Sequence, residues 1–157
     1  MNEKELITLD FDGVLHAYTT PFTTADKVED GAVPGAIKWL LEALDEYDIA
    51  VFSARSSQPG GIPAMRQWLK RELILWLSGS TKVKDIIARA YLANYQPKTS
   101  DSHYEMCVWA DGIVNRIQWP ITKIPSKLYI DDNAHRFEGK FPKLSAIKDM
   151  NSWVKET

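Results

Sequence analysis

Short apolar segments alternate with a helical stripe in the first half of the chain. Residues 5–9 and 48–53 are apolar and β-prone, and each pattern predicts a short buried strand. Between them, Pro34 suits the first turn of a helix. The apolar residues behind this proline recur at helical spacing and consist of Ile37, Leu40, Leu41 and Leu44. The pattern therefore predicts a strand, a helix and a second strand in succession.

The second half of the chain continues the alternation less regularly. Residues 105–116 are ambiguous, and Pro120 indicates an edge strand or an irregular one. The elements predicted here are helices near 62–76, 81–95 and 143–155, a loop at 96–104, and short strands at 117–122 and 127–130. Strands that alternate with helices favour an α/β fold with a mostly parallel sheet flanked by helices.

Composition and charge limit the classes of protein to which the chain could belong. The 157 residues are 45% hydrophobic and 25% charged, without repeats or linkers, so we predict one domain over residues 1–157. The net charge of −2 does not indicate a nucleic-acid-binding surface, although a nucleic-acid partner stays possible. Cys107 is the only cysteine, which excludes an intramolecular disulfide and a multi-cysteine metal site. We find no signal peptide or apolar run of ~20 residues, and we expect a cytoplasmic protein without membrane contact.

Two pairs of acidic residues stand where predicted strands end. Asp10 and Asp12 follow the first strand and share one face of it, and Asp131 and Asp132 follow the last strand. The first pair alone would more often be two surface acids in a turn. The carboxyl ends of parallel strands meet at one edge of a sheet, so we expect all four carboxylates there. They would repel one another without a cation, and hard oxygen ligands suit Mg²⁺, which we predict as the cofactor.

Two further residues are candidate phosphate ligands at the same edge. Ser53 ends the second predicted strand, and its hydroxyl can donate to a phosphate oxygen. Lys123 ends the predicted strand at 117–122 and offers a point charge for phosphate. Each of them alone would more often be a turn former or a solvated side chain. Lys127 is the alternative lysine, but it opens the next strand, so we expect it at the opposite edge of the sheet.

In this order, the residues resemble the four motifs of the haloacid dehalogenase (HAD) superfamily. Asp-x-Asp-Gly matches the first motif, Ser53 the second, a lysine the third and Asp131-Asp132 the fourth. The segments Phe-Ser-Ala-Arg-Ser, Thr-Lys-x-Pro and Ile-Asp-Asp-x-Ala-x-x-Phe are similar to small bacterial and phage members, which favours Lys123 as the third-motif lysine. Two features depart from these relatives. Asn133 stands where they usually have arginine, and they lack the segment from about 78 to 118, which we predict to be a helical insertion.

The resemblance implies a Rossmann-like HAD fold and a phosphatase activity. Asp10 would attack the phosphoryl group of a phosphomonoester to form an aspartyl-phosphate. Asp12 would protonate the leaving oxygen and then act as base for the hydrolytic water. The loop at 13–33 is long enough for a small flap but too short for a large cap domain. An open site of this kind would accept a phosphorylated small molecule, a nucleotide or a nucleic-acid terminal phosphate.

The resemblance also implies how the metal and the phosphate are held. Mg²⁺ would bind Asp10, the backbone carbonyl of Asp12 and Asp132, while Asp131 would act through a water molecule or orient a neighbour. The equatorial phosphoryl oxygens would be bound by the second-motif and third-motif residues, Ser53 and Lys123.

Two residues outside the motifs, and two other functions, stay open. Arg55 follows the second motif and could reach a substrate phosphate, or it could form an ordinary surface ion pair. His16 lies in the flap loop and is a weaker candidate for substrate contact. A phospho-acceptor receiver domain in signalling also combines acids, a hydroxyl and a lysine, although in a different order. An inactive relative that acts as a binding module is the other alternative, but every motif acid is present.

Overall fold

The structure is a computed structural model that describes residues 3–79 and 102–156. The described elements comprise three strands, four α-helices and a final 3₁₀ turn. In chain order they are β1 (Leu6–Leu9), α1 (Ala36–Glu46), β2 (Asp48–Val51), α2 (Gly61–Ser78), α3 (Ser102–Arg116), β3 (Leu128–Ile130), α4 (Leu144–Ile147) and the 3₁₀ turn Trp153–Glu156.

The three strands form a parallel sheet in the order β2-β1-β3, with β1 in the centre. At the carboxyl end of β1, Leu9 pairs with Val51 on one side and Ile130 on the other, so all three strands end at the same edge. The predicted α/β class with a parallel sheet is confirmed. The predicted strand at 117–122 is wrong, because only Gln118 bridges β2, and Pro120 cannot donate a ladder hydrogen bond.

Helices α1 and α2 form where the apolar patterns predict them. The stripe Ile37, Leu40, Leu41 and Leu44 is buried, and α1 packs against β2 and α2. α2 begins at Gly61, where a Cβ atom would lie 2.0 Å from the backbone oxygen of Arg55. Only glycine therefore lets the turn before α2 pack directly on the first turn of the helix.

The part of the segment 78–118 that the structure describes after residue 101 is mainly helical, and this helix packs on α2. α3 covers the ambiguous region 105–116, with Trp109, Ala110, Ile113 and Val114 buried. It begins at Ser102, so the prediction of a loop up to 104 is wrong for its last residues. The predicted helix at 81–95 and the rest of the loop at 96–104 lie outside the described residues.

The chain beyond β3 is mostly irregular. The predicted helix at 143–155 is wrong, since only α4 and the final 3₁₀ turn are helical there. No side chain of α4 is buried, and Leu144 is 86% exposed. A longer helix would therefore gain little from packing, which supplies most of the stability of helices in proteins.

Among residues 3–79 and 102–156, no helix combines the length and the apolar character that crossing a bilayer requires.

Candidate functional site

Three carboxylates meet at the carboxyl edge of the sheet. Asp10, Asp131 and Asp132 each offer an oxygen atom, and these three atoms all lie within 4.8 Å of one another. Asp10 follows β1 directly and its backbone N–H donates to Ile130 O at 2.8 Å, which aligns the ends of β1 and β3. The predicted meeting of acids from two separate strand ends is confirmed for these three residues.

The cluster makes ionisation of Asp10 costly. Burial raises the pKa of Asp10 to about 7, and the charges of Asp131, Asp132 and Asp12 act in the same direction. The N–H of Phe11, which donates to Asp10 Oδ1 at 2.7 Å, opposes part of this shift. A divalent cation would relieve the repulsion, and three carboxylates are a donor set that fits a hard cation.

Asp10 and Asp132 open onto a cleft of about 310 Å³. Asp12, Ser53, Tyr18 and Asn133 also line this cleft. The structure therefore brings the first, second and fourth motifs of the sequence to one concave site.

Gly13 lets Asp132 approach the first motif closely. A Cβ atom at Gly13 would lie 2.5 Å from Asp132 Oδ2, and the φ of this glycine is +84°. Any other residue would meet both a steric clash and backbone strain. The glycine of the first motif thus has two structural functions: it turns the chain and it makes room for Asp132.

The C-terminal segment completes the wall of the cleft. Ser152 Oγ donates a hydrogen bond to Asp132 Oδ2, and Trp153 Nε1 donates to Gly13 O at 2.7 Å. Val154 also lines the cleft. The sequence analysis missed these residues, because no motif or local pattern links them to a glycine 140 positions earlier.

Asp12 lies in the same cleft, but its carboxylate has its own partners. His16 Nδ1 lies 2.8 Å from Asp12 Oδ1, and Arg55 Nε donates to Asp12 Oδ2 at 2.7 Å. Burial would raise the pKa of Asp12, but the hydrogen bonds from His16 and Arg55 outweigh it and hold this pKa below its usual range. Asp12 was predicted to bind the metal through its backbone carbonyl, and its carboxylate does not belong to the three-acid cluster.

Arg55 and His16 lie behind Asp12 and do not line the cleft. Each is only 2% exposed, so the predicted surface ion pair of Arg55 is wrong. Its Nη1 donates to three backbone carbonyls of the flap loop, at distances of 2.8–3.2 Å, and these belong to Thr24, Ala25 and Lys27. No local signal could have shown this, because these contacts depend on the path of the loop at 13–33.

Ser53 is oriented by the turn that follows β2. Its backbone N–H donates to Ser56 Oγ at 3.0 Å, and its Oγ accepts the N–H of Arg55 at 3.3 Å. Because Oγ accepts this bond, the hydroxyl proton can still be donated to a ligand in the cleft.

The two candidate lysines lie in different places, and neither lines the cleft. Lys123 is exposed, with its Nζ 4.5 Å from the centre of the Tyr129 ring. Lys127 forms an ion pair with Glu5, and its backbone N–H donates to Leu6 O at the amino end of β1. The expectation that Lys127 lies at the opposite edge of the sheet is confirmed.

Tyr18 is a residue of the cleft that the sequence analysis did not select. Its φ of 57° lies in the left-handed region, which is unusual for a residue other than glycine. Its ring lies 6.2 Å from the ring of His16. Strained residues of this kind concentrate at binding sites, but an isolated tyrosine in a polar loop gave no signal of it.

Comparison with known proteins gave no match: no protein-family model, curated protein or solved structure is similar to this chain.

Proposed function

We propose that the chain is a Mg²⁺-dependent phosphomonoester hydrolase with a Rossmann-like fold of the HAD type. One observation carries the proposal: Asp10 and Asp132 of the three-acid cluster share a cleft with Ser53 and with a separately held Asp12. A nucleophile, a proton donor and phosphate-binding groups are what phosphoryl transfer requires in one site.

The two acids of the first motif have environments that suit different functions. Asp10 lies in the acidic cluster, and Mg²⁺ bound there would neutralise the acids and polarise the phosphoryl oxygens. A carboxylate oxygen of Asp10 attacks phosphorus, and the ester P–O bond breaks with its electron pair on the leaving oxygen. Asp12, whose pKa is low in the free site, takes up a proton from the bound phosphate monoanion and gives it to that oxygen, so the leaving group departs as a neutral alcohol.

Water completes the reaction. Asp12, now a carboxylate, takes a proton from the water molecule that attacks the phosphoryl group on Asp10. The bond between Asp10 and phosphorus breaks, Asp12 passes the proton to the departing inorganic phosphate, and both acids are carboxylates again. The hydroxyl of Ser53 would donate to a phosphoryl oxygen throughout, since its proton is free for a ligand.

Lys123 is proposed as the cation of the third motif. Its side chain contacts the Tyr129 ring and would have to turn from this ring to reach a phosphate in the cleft. A lysine has a flexible stem of four carbons and acts as a point charge, so such a movement is compatible with its chemistry.

Without a large cap domain, the site would be open and would suit a large or exposed phosphate group. The candidate substrates are a phosphorylated small molecule, a nucleotide and a nucleic-acid terminal phosphate. The net charge of −2 does not favour extended contact with a nucleic acid, so that substrate would be bound only at its end.

The experiment is phosphate release from p-nitrophenyl phosphate by the purified chain, with Mg²⁺ and with EDTA. We expect turnover with Mg²⁺, none with EDTA, and none in Asp10→Asn, whose amide cannot attack phosphorus. Asp48→Asn is the matched control, because Asp48 is an exposed acid at the opposite edge of the same sheet. Binding of Mg²⁺ without turnover of any phosphate ester would instead favour a binding module.

A further inference from the structure

Two buried side chains fix the direction of the Asp12 carboxylate. We propose that His16 and Arg55 are positioning residues for proton transfer by Asp12. The inference rests on the proposed function, since it assigns a role within that reaction. Its support is the hydrogen-bond geometry around the Asp12 carboxylate, to which each of the two residues contributes one bond.

His16 presents one N–H to Asp12. The backbone N–H of Asp30 donates to His16 Nε2 at 3.1 Å, so Nε2 carries no proton in this arrangement. The ring proton is therefore on Nδ1, which donates to Asp12 Oδ1 at 2.8 Å. Asp30 Oδ2 also faces this ring, 3.8 Å from Nε2.

Two aromatic rings prevent the imidazole from turning. The Phe11 ring stacks on His16 with a centroid distance of 5.3 Å, and Trp68 meets it edge-on at 5.6 Å. His16 is 2% exposed, so its ring packs tightly among these neighbours. A ring held in this way delivers its hydrogen bond in one direction only.

Arg55 holds the other oxygen of the same carboxylate. Its Nε donates to Asp12 Oδ2, while its Nη1 is held by the three carbonyls of the flap loop. Each carboxylate oxygen has two acceptor positions, and His16 and Arg55 occupy one position on each. One further position on each oxygen stays available, so the proton can be carried on the side that faces the cleft.

The same two residues also connect Asp12 to the flap loop. Arg55 bonds to the carbonyls of residues 24, 25 and 27, and His16 accepts the N–H of residue 30. The path of the loop and the orientation of Asp12 are therefore set by one network. Proton transfer depends steeply on such alignment, so a small displacement lowers the rate.

The test uses the leaving group of the substrate. An alkyl phosphate releases a basic alkoxide that needs a proton, whereas p-nitrophenyl phosphate releases a stable phenolate that hardly does. A positioning residue for Asp12 should therefore matter for the first substrate and little for the second. A merely structural residue would affect both substrates equally, because it would change the amount of folded enzyme.

His16→Phe keeps a ring of similar shape and removes the N–H, while His16→Asn keeps a donor near the position of Nδ1. We expect His16→Phe to lower kcat on an alkyl phosphate at least about tenfold and on p-nitrophenyl phosphate less than about threefold. His16→Asn should recover most of the loss. His103→Phe, on the exposed start of α3, is the matched control and should change neither rate.

Two further variants make the outcome decisive. Arg55→Lys keeps the positive charge without the fixed Nε donor, and we expect the same preference for the good leaving group. If His16→Phe does not fold, Arg55→Lys tests the same inference. In Asp12→Asn, adding His16→Phe should cause no further loss on the alkyl phosphate, because both changes act on one step.

The experiment distinguishes failure of the positioning role from failure of the proposed function. Equal losses on both substrates in an active enzyme, or no recovery in His16→Asn, would overturn the inference and leave the proposed function standing. A wild-type protein that hydrolyses neither substrate would overturn the proposed function, and the positioning role would fall with it.

Discussion

At the scale of single residues, the site disfavours the charged form of Asp10. Burial raises its pKa to about 7, with neighbouring acids adding to the shift, so the folded protein holds this proton more tightly than the unfolded chain does. The stability of the metal-free protein should therefore fall as the pH rises from about 4 to about 7. Above pH 7, Asp10 is charged in both the folded and the unfolded protein, and its destabilising effect on the fold no longer changes with pH.

Asp10→Asn should remove this cost while abolishing turnover. In EDTA at pH 8, we expect the variant to be more stable than the wild type, by on the order of 1 kcal/mol after solvent screening is considered. At pH 4, where the wild-type residue is protonated, the difference should vanish. Urea unfolding at the two pH values measures this. A variant less stable than the wild type at pH 8 would show that Asp10 is not repelled.

Gly13 provides a second test at this scale. Gly13→Ala should strain the backbone and push Asp132 away, since the new Cβ would lie 2.5 Å from Oδ2. Gly139 is the matched control, because its φ is +89° and nothing lies within 4 Å of its Cβ position. Both substitutions should cost about 1–2 kcal/mol from the positive φ. Only Gly13→Ala should also weaken Mg²⁺ binding, measured by calorimetry, and equal Mg²⁺ affinities would contradict the close packing.

At the scale of elements, the flap loop is held by an acid that the sequence analysis did not select. Asp30 accepts hydrogen bonds from Thr20 N and Thr20 Oγ1 at 2.7 and 2.8 Å, and from Thr19 Oγ1 at 2.8 Å. Burial would raise the pKa of Asp30, but these bonds outweigh it and lower the pKa to about 2. Its stabilising contribution is present above pH 4 and is lost as the pH falls towards 2.

Asp30→Asn should therefore destabilise the protein by about 1 kcal/mol at pH 7. The difference from the wild type should be constant from pH 7 to pH 5 and should narrow below pH 4. Asp149→Asn, at an exposed position, is the control and should be neutral. Thermal unfolding across this pH range measures both variants. An equal effect of Asp30→Asn at pH 7 and pH 3 would mean that its charge does not hold the loop.

The elements themselves were predictable to the extent that their signals are local. The stripe of α1 and the apolar runs of β1 and β2 follow from a period of 3.6 or 2, which a short window of sequence contains. The predicted helix at 143–155 fails because no side chain of α4 is buried, and packing is not a local property.

The residues of the site also divide into those with a local sequence signal and those without one. Asp10, Ser53 and the late acidic pair were predictable, because a residue that ends a parallel strand lies at a known edge of the sheet. The network of Arg55 was not, because its three carbonyl partners are brought together by an irregular loop. Arginine after a strand is usually exposed, and nothing in its neighbours indicates burial.

At the scale of the whole molecule, the two ends of the chain meet at the site. Ser152 donates to Asp132, and Trp153 donates to the carbonyl of Gly13, so residues near the C-terminus support both the first and the fourth motif. The hydrogen bond from Ser152 fixes one oxygen of Asp132, which leaves the remaining lone pairs in a defined direction. Partners of this kind orient metal-binding carboxylates and strengthen metal binding.

Ser152→Ala should therefore weaken Mg²⁺ binding about tenfold while leaving the fold intact. Ser152 is buried, whereas Ser145 on α4 is exposed, so Ser145→Ala is the matched control and should bind Mg²⁺ like the wild type. Calorimetric titration measures both affinities, and thermal unfolding checks the fold. Trp153→Phe keeps most of the ring but loses the bond to Gly13 O, and we expect a smaller loss of affinity, because it acts on Asp132 only through Gly13. Wild-type affinity in Ser152→Ala would show that the C-terminal segment covers the cleft without orienting its acids.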